Sequence, residues 1–178
     1  GCKLGARPID IHLDGLAKMG VMIAQSAQHL HLTAPAGLKG ADITLRFPSV
    51  GATETLLMAA VSARGQSVLR GCSMEPEVTD LVRFLKACGA CIEGEGTRCL
   101  TVFGTPNLKG CHYRICPDRI TAATVMFAVA GCGGEAVLQG ACEEDLQAVF
   151  RVLRRGGCDI ACKEDEIAIG RYHTLYGA

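Results

Sequence analysis

The sequence predicts an α/β fold of repeated βαβαββ units, an inside-out, barrel-like arrangement with apolar helices inside and sheets outside. The 178 residues hold about two and a half such units. Three helix-like stretches end on Gly20, Gly89 and Gly157, at nearly equal intervals along the chain, and a short strand pattern follows each. Glycine suits the left-handed position that ends many helices. A fixed period of this size is typical of a repeated supersecondary unit.

A second marker repeats with nearly the same period. Leu38-Lys-Gly-Ala returns one period later as Leu108-Lys-Gly-Cys, and each copy leads into a predicted strand and then a long apolar helix. These elements are strands 42–46 and 112–115 and helices 52–63 and 121–130. Both helices are apolar almost all round, and such helices are buried. This pattern predicts that the helices form the interior.

The repeat also divides the chain. Residues 1–37 match the second half of a unit, 38–107 match a whole unit, and 108–178 match another. The chain opens on Gly1 inside a glycine-bearing loop, part-way through a unit. We therefore expect it to be a piece of a longer protein.

Composition excludes several classes of function. The 18 basic and 18 acidic residues balance, and aromatic residues make up only 4% of the chain. A nucleic-acid partner is not expected, since binding it needs a basic surface or stacking platforms. No apolar run approaches the about 20 residues that span a bilayer, and no signal peptide is visible. A membrane partner is not expected either, and the predicted location is cytoplasmic.

The eleven cysteines favour a reducing compartment over a disulfide scaffold. Cys88-Gly-Ala-Cys91 has the spacing of half a zinc site, but no second pair follows at zinc distance. We therefore expect no metal or other cofactor. Most of the eleven cysteines lie among apolar or small residues, where cysteine packs as a small hydrophobe. The seven expected to behave in this way are Cys72, Cys88, Cys91, Cys132, Cys142, Cys158 and Cys162.

Cys2 differs from these thiols because it lies in a glycine-flanked loop beside two cations, Lys3 and Arg7. Nearby cations lower the pKa of a thiol and favour the reactive thiolate. A well-placed cysteine can also act as a general acid. Cys2 is therefore either a functional thiol or an ordinary loop cysteine.

Two further segments combine groups that could bind a nucleotide. Arg7-Pro-Ile-Asp-Ile11 offers a planar guanidinium and the carboxylate of Asp10, which could accept from a base or a ribose hydroxyl. Alternatively, Asp10 simply caps the following helix. Phe47-Pro-Ser-Val50 is a strand-to-helix turn whose free N–H groups and Ser49 could cradle phosphate, or Ser49 could serve only as a cap. The matching turn of the next unit carries Asp118, which would repel phosphate.

Four motifs together resemble the UDP-N-acetylglucosamine 1-carboxyvinyltransferases, which are enolpyruvyl transferases. They are Gly1-Cys-Lys-Leu-Gly-Ala-Arg-Pro-Ile-Asp-Ile-His12, Pro48-Ser-Val-Gly-Ala-Thr-Glu54, Glu75-Pro-Glu-Val78 and Pro117-Asp-Arg-Ile120. The resemblance runs along the whole chain. The first two motifs separate this family from the related 5-enolpyruvylshikimate-3-phosphate synthases, which share the fold and remain an alternative.

The resemblance implies transfer of enolpyruvyl from phosphoenolpyruvate to the 3′-hydroxyl of UDP-N-acetylglucosamine, with release of phosphate, in peptidoglycan precursor synthesis. Cys2 matches the proton donor, which is also the target of fosfomycin. The substrate-binding positions that match are Arg7, Pro8, Ile9, Asp10, Ile11, Phe47, Pro48, Ser49 and Val50. The family often has lysine at the position of Phe47, so one charge contact is missing here.

The resemblance also implies two domains, of which residues 1–116 are part of the first and 117–178 are one unit of the second. Other residues that the family uses for phosphoenolpyruvate and for the general base would belong to the remainder of a parent chain. We therefore expect the 178 residues alone to show no transferase activity. The competing interpretation is a non-catalytic α/β repeat module in which Cys2 has no role.

Overall fold

A computed structural model describes residues 8–26, 29–105 and 107–175. The chain divides into two compact units between Ile115 and Cys116. None of the helices in the described residues has the length and hydropathy of a membrane-spanning segment. The elements of the first unit are α1 (Asp10–Lys18), β1 (Met22–Gln25), β2 (Leu30–Thr33), β3 (Asp42–Thr44), α2 (Val50–Ser62), β4 (Gln66–Arg70), α3 (Pro76–Ala87), β5 (Cys91–Glu93) and β6 (Cys99–Phe103). Those of the second are α4 (Arg119–Cys132), β7 (Gly134–Gln139), a 3₁₀ turn (Glu144–Leu146), α5 (Gln147–Arg155), β8 (Asp159–Lys163) and β9 (Glu166–Arg171).

The first unit contains one whole repeat, which confirms the predicted βαβαββ order. Strands β3 and β4 are parallel and flank α2, and the sheet has the order β3-β4-β6-β5. The antiparallel pair of β5 and β6 completes it. Before this repeat, α1 and the β1–β2 hairpin form the helix and two strands of half a repeat.

The glycines that mark the repeat occupy the backbone conformation that the pattern predicts. Gly20, Gly89 and Gly157 have φ angles of 89°, 99° and 92°. A residue with a Cβ rarely adopts this left-handed region, so each glycine lets the helix end and a strand begin. The period in the sequence thus reflects three equivalent helix ends.

Helix α2 is the interior helix of the first unit. Its Ala, Leu and Val side chains give little amphipathic pattern, and most of them are buried among α1, α3 and the four-stranded sheet. Leu56, Leu57 and Val61 have no exposed surface. Burial of such side chains contributes about 1.5–3 kcal/mol each. The prediction of a buried first helix is confirmed here.

Within the residues that the structure describes, the second unit lacks the first strand of the predicted repeat. Its sheet has three strands in the order β7-β9-β8, and residues 112–115, predicted to form its first strand, form none. Instead, the Tyr113 hydroxyl donates to Asp80 Oδ1 at 2.8 Å, and its ring meets Phe84 edge-on. These contacts hold the segment along α3, within the first unit.

The predicted burial of α4 holds on only one side. Ala122, Met126 and Ala130 are buried in the hydrophobic core of the second unit, which also contains Phe150 and Ile169. On the other side of α4, three large apolar side chains are exposed. These are Ile120, Val125 and Phe127.

The seven cysteines expected to pack as small hydrophobes differ in exposure: three are buried, Cys142 and Cys162 are half-buried, and two are exposed. Cys72, Cys88 and Cys158 are buried as predicted, and burial raises the pKa of Cys72 to about 11. Cys91 and Cys132 are exposed, so the prediction is wrong for them. Cys91 lies on the outward side of β5, whose burial alternates as a half-buried strand requires.

Candidate functional site

The structure describes eight of the ten predicted site residues, while Cys2 and Arg7 lie outside the described residues. Pro8 and Ile9 precede α1, and Asp10 and Ile11 form its first turn. The second group lies at the start of α2, where Ser49 is the N-cap. Its members are Phe47, Pro48, Ser49 and Val50.

The two groups meet because α1 and α2 pack closely with their N-terminal ends side by side. A Cβ atom added to Gly15 would lie 2.4 Å from Leu56 Cδ2, and one added to Gly51 would lie 3.3 Å from His12 Nε2. The contacts follow the same order along both helices, so the helices run in the same direction. Two segments that are distant in sequence therefore share one edge of the unit.

An ion pair joins the two segments. Arg46 Nη2 donates to Asp10 Oδ2, and the guanidinium lowers the pKa of Asp10 below its usual value. The Ile11 N–H also donates to Asp10 Oδ1 at 3.0 Å. The alternative that Asp10 is the helix N-cap is wrong by one residue, since Ile9 holds that position. Asp10 instead lies in the first turn, where a carboxylate complements the helix dipole.

Ser49 is a helix cap, as one of the two interpretations proposed. Its Oγ accepts from the Ala52 N–H at 3.3 Å, and its carbonyl oxygen accepts from Thr53 Oγ1 at 2.7 Å. These bonds fix the start of α2. The N–H groups of Val50 and Gly51, at the first two helical positions, have no acceptor within the helix. Capping and an anion-binding helix end are therefore compatible at this turn.

The surface formed by these segments is open. Phe47 is 57% exposed and Ile9 is 45% exposed. The crevice beside them, between α1 and β3, has a volume of only about 30 Å³ and is bordered by Asp14, Lys18 and Arg46. A space of this size holds about one water molecule. A larger ligand would have to lie across the surface.

Sequence reasoning missed two residues at this edge, Arg46 and His12. Arg46 directly precedes Phe47, the position at which the family often has lysine. A cation next to that position could have identified Arg46 as a site residue from the sequence. The five histidines show no metal-ligand spacing in the sequence, so no pattern singles out His12. Its Nδ1 is buried without a hydrogen-bond partner, a consequence of packing between α1 and α2 that no local pattern reveals.

The matching turn of the second unit has a different chemistry. Asp118 caps α4, and its Oδ1 accepts from the Ile120 and Thr121 N–H groups at 2.9 and 3.1 Å. Asp118 is therefore the N-cap of α4. Larger open depressions, of about 730 and 580 Å³, belong to the second unit, and none of the eight described site residues lines them.

Glu54, in the second turn of α2, provides a test of the packing beside the site. Burial, followed by repulsion from Glu77, raises the pKa of Glu54 above its usual 4.5. A carboxyl group with a raised pKa destabilises the folded state at neutral pH, and this cost disappears as the pH falls through the folded-state pKa. Glu54→Gln should therefore raise Tm at pH 7. The gain in the free energy of unfolding should be less than about 1 kcal/mol, because the side chain is partly exposed.

The measurement is thermal unfolding followed by circular dichroism at pH 7 and pH 4. The gain should be present at pH 7 and small at pH 4. Glu93→Gln, at an exposed position of β5, is the control and should change Tm little at either pH. An equal gain for Glu54→Gln at both pH values would contradict the electrostatic explanation.

Residues 1–177 match the family described as EPSP synthase (3-phosphoshikimate 1-carboxyvinyltransferase). The chain belongs to the EPSP synthase family. Solved structures with the same fold include the enolpyruvyl transferase NikO from Streptomyces tendae, with a TM-score of 0.79 and 25% identity over 94% of this chain and 43% of that one. EPSP synthase from Acinetobacter baumannii superposes with a TM-score of 0.69 at 21% identity, covering 95% of this chain and 40% of that one, which shows the fold alone. The predicted fold class is thereby confirmed.

Within the EPSP synthase family, the chain is similar to proteins named UDP-N-acetylglucosamine 1-carboxyvinyltransferase. It is 44% identical to the one from Gluconobacter oxydans over 177 residues, which are 99% of this chain and 42% of the relative. It is 48% identical to the one from Nitratidesulfovibrio vulgaris strain Hildenborough over 160 residues, which are 90% of this chain and 38% of the relative. The chain thus spans about two fifths of the length of these relatives, and its predicted resemblance to them is confirmed.

Proposed function

We propose that the chain forms the nucleotide-binding edge of an enzyme that transfers enolpyruvyl from phosphoenolpyruvate to UDP-N-acetylglucosamine. The observation that carries this proposal is the close packing of α1 and α2, which brings residues 8–11 and 47–50 to one edge. A sugar nucleotide is long enough to contact both segments. The names and the identity of the relatives support this substrate over shikimate 3-phosphate.

The electrostatics of this edge suit a diphosphate. Two parallel helices present their N-terminal ends together, each of which carries a partial positive charge of about half an elementary charge. The N–H groups of Val50 and Gly51 can donate to phosphate oxygens. Arg46 places a guanidinium next to Phe47, the position at which the family often has lysine, and Asp10 balances its charge.

Asp10 and Arg46 have complementary roles in this proposal. The Asp10 carboxylate accepts from the N–H of the uracil ring or from a ribose hydroxyl, which positions the nucleoside end of the substrate. Arg46 neutralises the carboxylate that would otherwise repel the diphosphate. The exposed ring of Phe47 and the apolar side chain of Ile9 add flat contact surface on either side.

The reaction itself would depend on Cys2. We propose that Cys2 donates the proton during enolpyruvyl transfer and is the residue that fosfomycin modifies, as in the family that the chain resembles. The enzyme would act in the cytoplasm, where both substrates are available, and would supply peptidoglycan synthesis, cell growth and division. We also propose that 1–116 and 117–178 belong to different domains. The division between Ile115 and Cys116 supports this.

A ligand titration tests the proposed site. The nitrogen-15-labelled chain would be titrated with UDP-N-acetylglucosamine, and the largest amide shifts should occur at residues 9–12, 46–47 and 49–52, since Pro8 and Pro48 have no N–H. Shikimate 3-phosphate at the same concentrations should leave these amides unchanged. Arg46→Ala should weaken binding at least about 10-fold, because it removes a charged hydrogen-bond donor and exposes the charge of Asp10.

Arg70→Ala is the matched control for this titration. Arg70 also forms an exposed ion pair with an aspartate of the first unit, Asp42, at 3.1 Å. Its removal should leave the affinity for UDP-N-acetylglucosamine unchanged. The proposal fails if shikimate 3-phosphate shifts the same amides, if the shifts lie elsewhere, or if both variants weaken binding equally.

A further inference from the structure

One face of α3 holds an extended segment of the chain that is distant from it in sequence. The residues of this face are Asp80, Phe84 and Cys88, each four positions after the last, so they lie in one row along the helix. Tyr113 contacts Asp80 and Phe84, and the Lys109 N–H donates to the Cys88 carbonyl oxygen at 2.8 Å. The segment 109–113 therefore runs antiparallel to α3.

This arrangement brings two thiols together at the C-terminal end of α3. The Sγ atoms of Cys88 and Cys111 are 3.5 Å apart, and both cysteines are free thiols. A disulfide bond is about 2.05 Å long, so small rotations of the two side chains can close the gap. The backbone hydrogen bond from Lys109 to Cys88 already holds the two segments side by side.

We propose that Cys88 and Cys111 form a reversible disulfide, which makes them an oxidation site for low-molecular-weight disulfides such as oxidised glutathione. Cys111 is half-buried and is the thiol that meets the oxidant, whereas Cys88 is only 8% exposed. This inference rests on the first unit alone and does not depend on the proposed transferase activity.

The exchange proceeds in two steps that balance. The Cys111 thiolate attacks one sulfur of oxidised glutathione, which forms a mixed disulfide and releases one glutathione thiolate. The Cys88 thiolate then attacks the Cys111 sulfur, which forms the Cys88–Cys111 bond and releases the second glutathione thiolate. Two protein thiols are oxidised, one small disulfide is reduced, and the two thiol protons pass to the two glutathione thiolates.

The protein environment determines the order of these steps. Burial, and then the neighbouring Cys111 thiol, raises the pKa of the Cys88 thiol above its usual value. A buried, protonated thiol is a poor first nucleophile but is placed to attack a sulfur atom 3.5 Å away. Cys88 therefore acts as the resolving thiol.

The alternative partner suggested by the CxxC spacing is Cys91. It lies on the exposed side of β5, beyond the left-handed turn at Gly89 that reverses the chain after α3. Cys88 points instead into the contact between α3 and the segment 109–113. The fold thus selects Cys111, although Cys91 is nearer in sequence.

Peptide mapping after oxidation tests the pairing. The 178-residue chain would be treated with oxidised glutathione, its remaining thiols blocked, and the product digested with trypsin. Cleavage after lysine and arginine places Cys88 and Cys91 in peptide 87–98 and Cys111 in peptide 110–114. We expect these two peptides to be joined by a bond that dithiothreitol breaks.

Three variants identify the sulfur atoms. The joined peptides should persist in Cys91→Ser and disappear in Cys88→Ala and Cys111→Ala. A peptide 87–98 that is lighter by two hydrogen atoms and joined to no other peptide would show a Cys88–Cys91 bond and overturn the proposal. Joined peptides that disappear in Cys91→Ser would overturn it as well, as would an unselective mixture of thiol pairs.

A second measurement remains informative if the Cys88 variant folds poorly. The bond would tie α3 to the segment 109–113 and close a loop that includes β5 and β6, which restricts the unfolded chain. Oxidation should therefore raise Tm by roughly 5 °C or more in the unsubstituted chain and in Cys91→Ser. It should not do so in Cys111→Ala. A rise of equal size in Cys111→Ala would contradict the proposal.

Discussion

Leu56→Ala is expected to destabilise the first unit by about 2–5 kcal/mol, because it removes a fully buried side chain from the contact between α1 and α2. The Leu56 side chain fills the space that Gly15 leaves by having no Cβ. Its loss creates a cavity between the two helices that carry the proposed site. Urea unfolding followed by far-ultraviolet circular dichroism would measure the effect.

Two comparisons make this prediction specific. Met58→Ala, on the same helix at a side chain that is 49% exposed, should cost less than about 1 kcal/mol. Gly15→Ala alone should also destabilise, by roughly 1–3 kcal/mol, since its Cβ would overlap Leu56. In the double variant the methyl group at position 15 occupies the space that the Leu56 side chain has left. The double variant should therefore be destabilised by less than the sum of the two single variants. Strict additivity would contradict the proposed contact.

Cys2→Ser is expected to lower the turnover of an active transferase by about 100- to 10,000-fold, the usual contribution of a general acid. A serine hydroxyl is a far weaker acid than a thiol and cannot replace it as proton donor. The test uses a chimera in which this chain replaces the matching part of the Gluconobacter oxydans relative, with which it is 44% identical. Release of phosphate from phosphoenolpyruvate measures the turnover.

Cys132→Ser is the matched control for this loss. Cys132 is an exposed thiol at the end of α4, so its replacement should leave turnover within about twofold. Binding of UDP-N-acetylglucosamine should be unchanged in both variants. If Cys2→Ser retains full turnover, or if both variants lose it equally, Cys2 is not the proton donor.

Periodic features allowed much of the fold to be predicted from the sequence. Gly20, Gly89 and Gly157 mark equivalent helix ends because each needs the same left-handed backbone. The apolar helix α2 was predicted to be interior, since a helix without a polar face must be buried. These inferences succeed because they depend on local conformational and solvation preferences that recur in each unit.

Other features depend on contacts between distant parts of the chain. Residues 112–115 have a strand-like pattern but form no strand, and Tyr113 contacts α3 instead. The ion pair between Asp10 and Arg46 and the contact between Cys88 and Cys111 each join side chains from separate elements. Local propensity and spacing contain no information about such pairs, so only the folded structure reveals them.

The most direct test of the proposed function is the choice of acceptor by the unsubstituted chimera. Phosphate release from phosphoenolpyruvate would be measured with UDP-N-acetylglucosamine and, separately, with shikimate 3-phosphate. We predict release that depends on UDP-N-acetylglucosamine and is abolished by Arg46→Ala at low substrate concentration but restored at high concentration. A chimera that folds and binds UDP-N-acetylglucosamine but releases no phosphate, or that prefers shikimate 3-phosphate, would contradict the proposal.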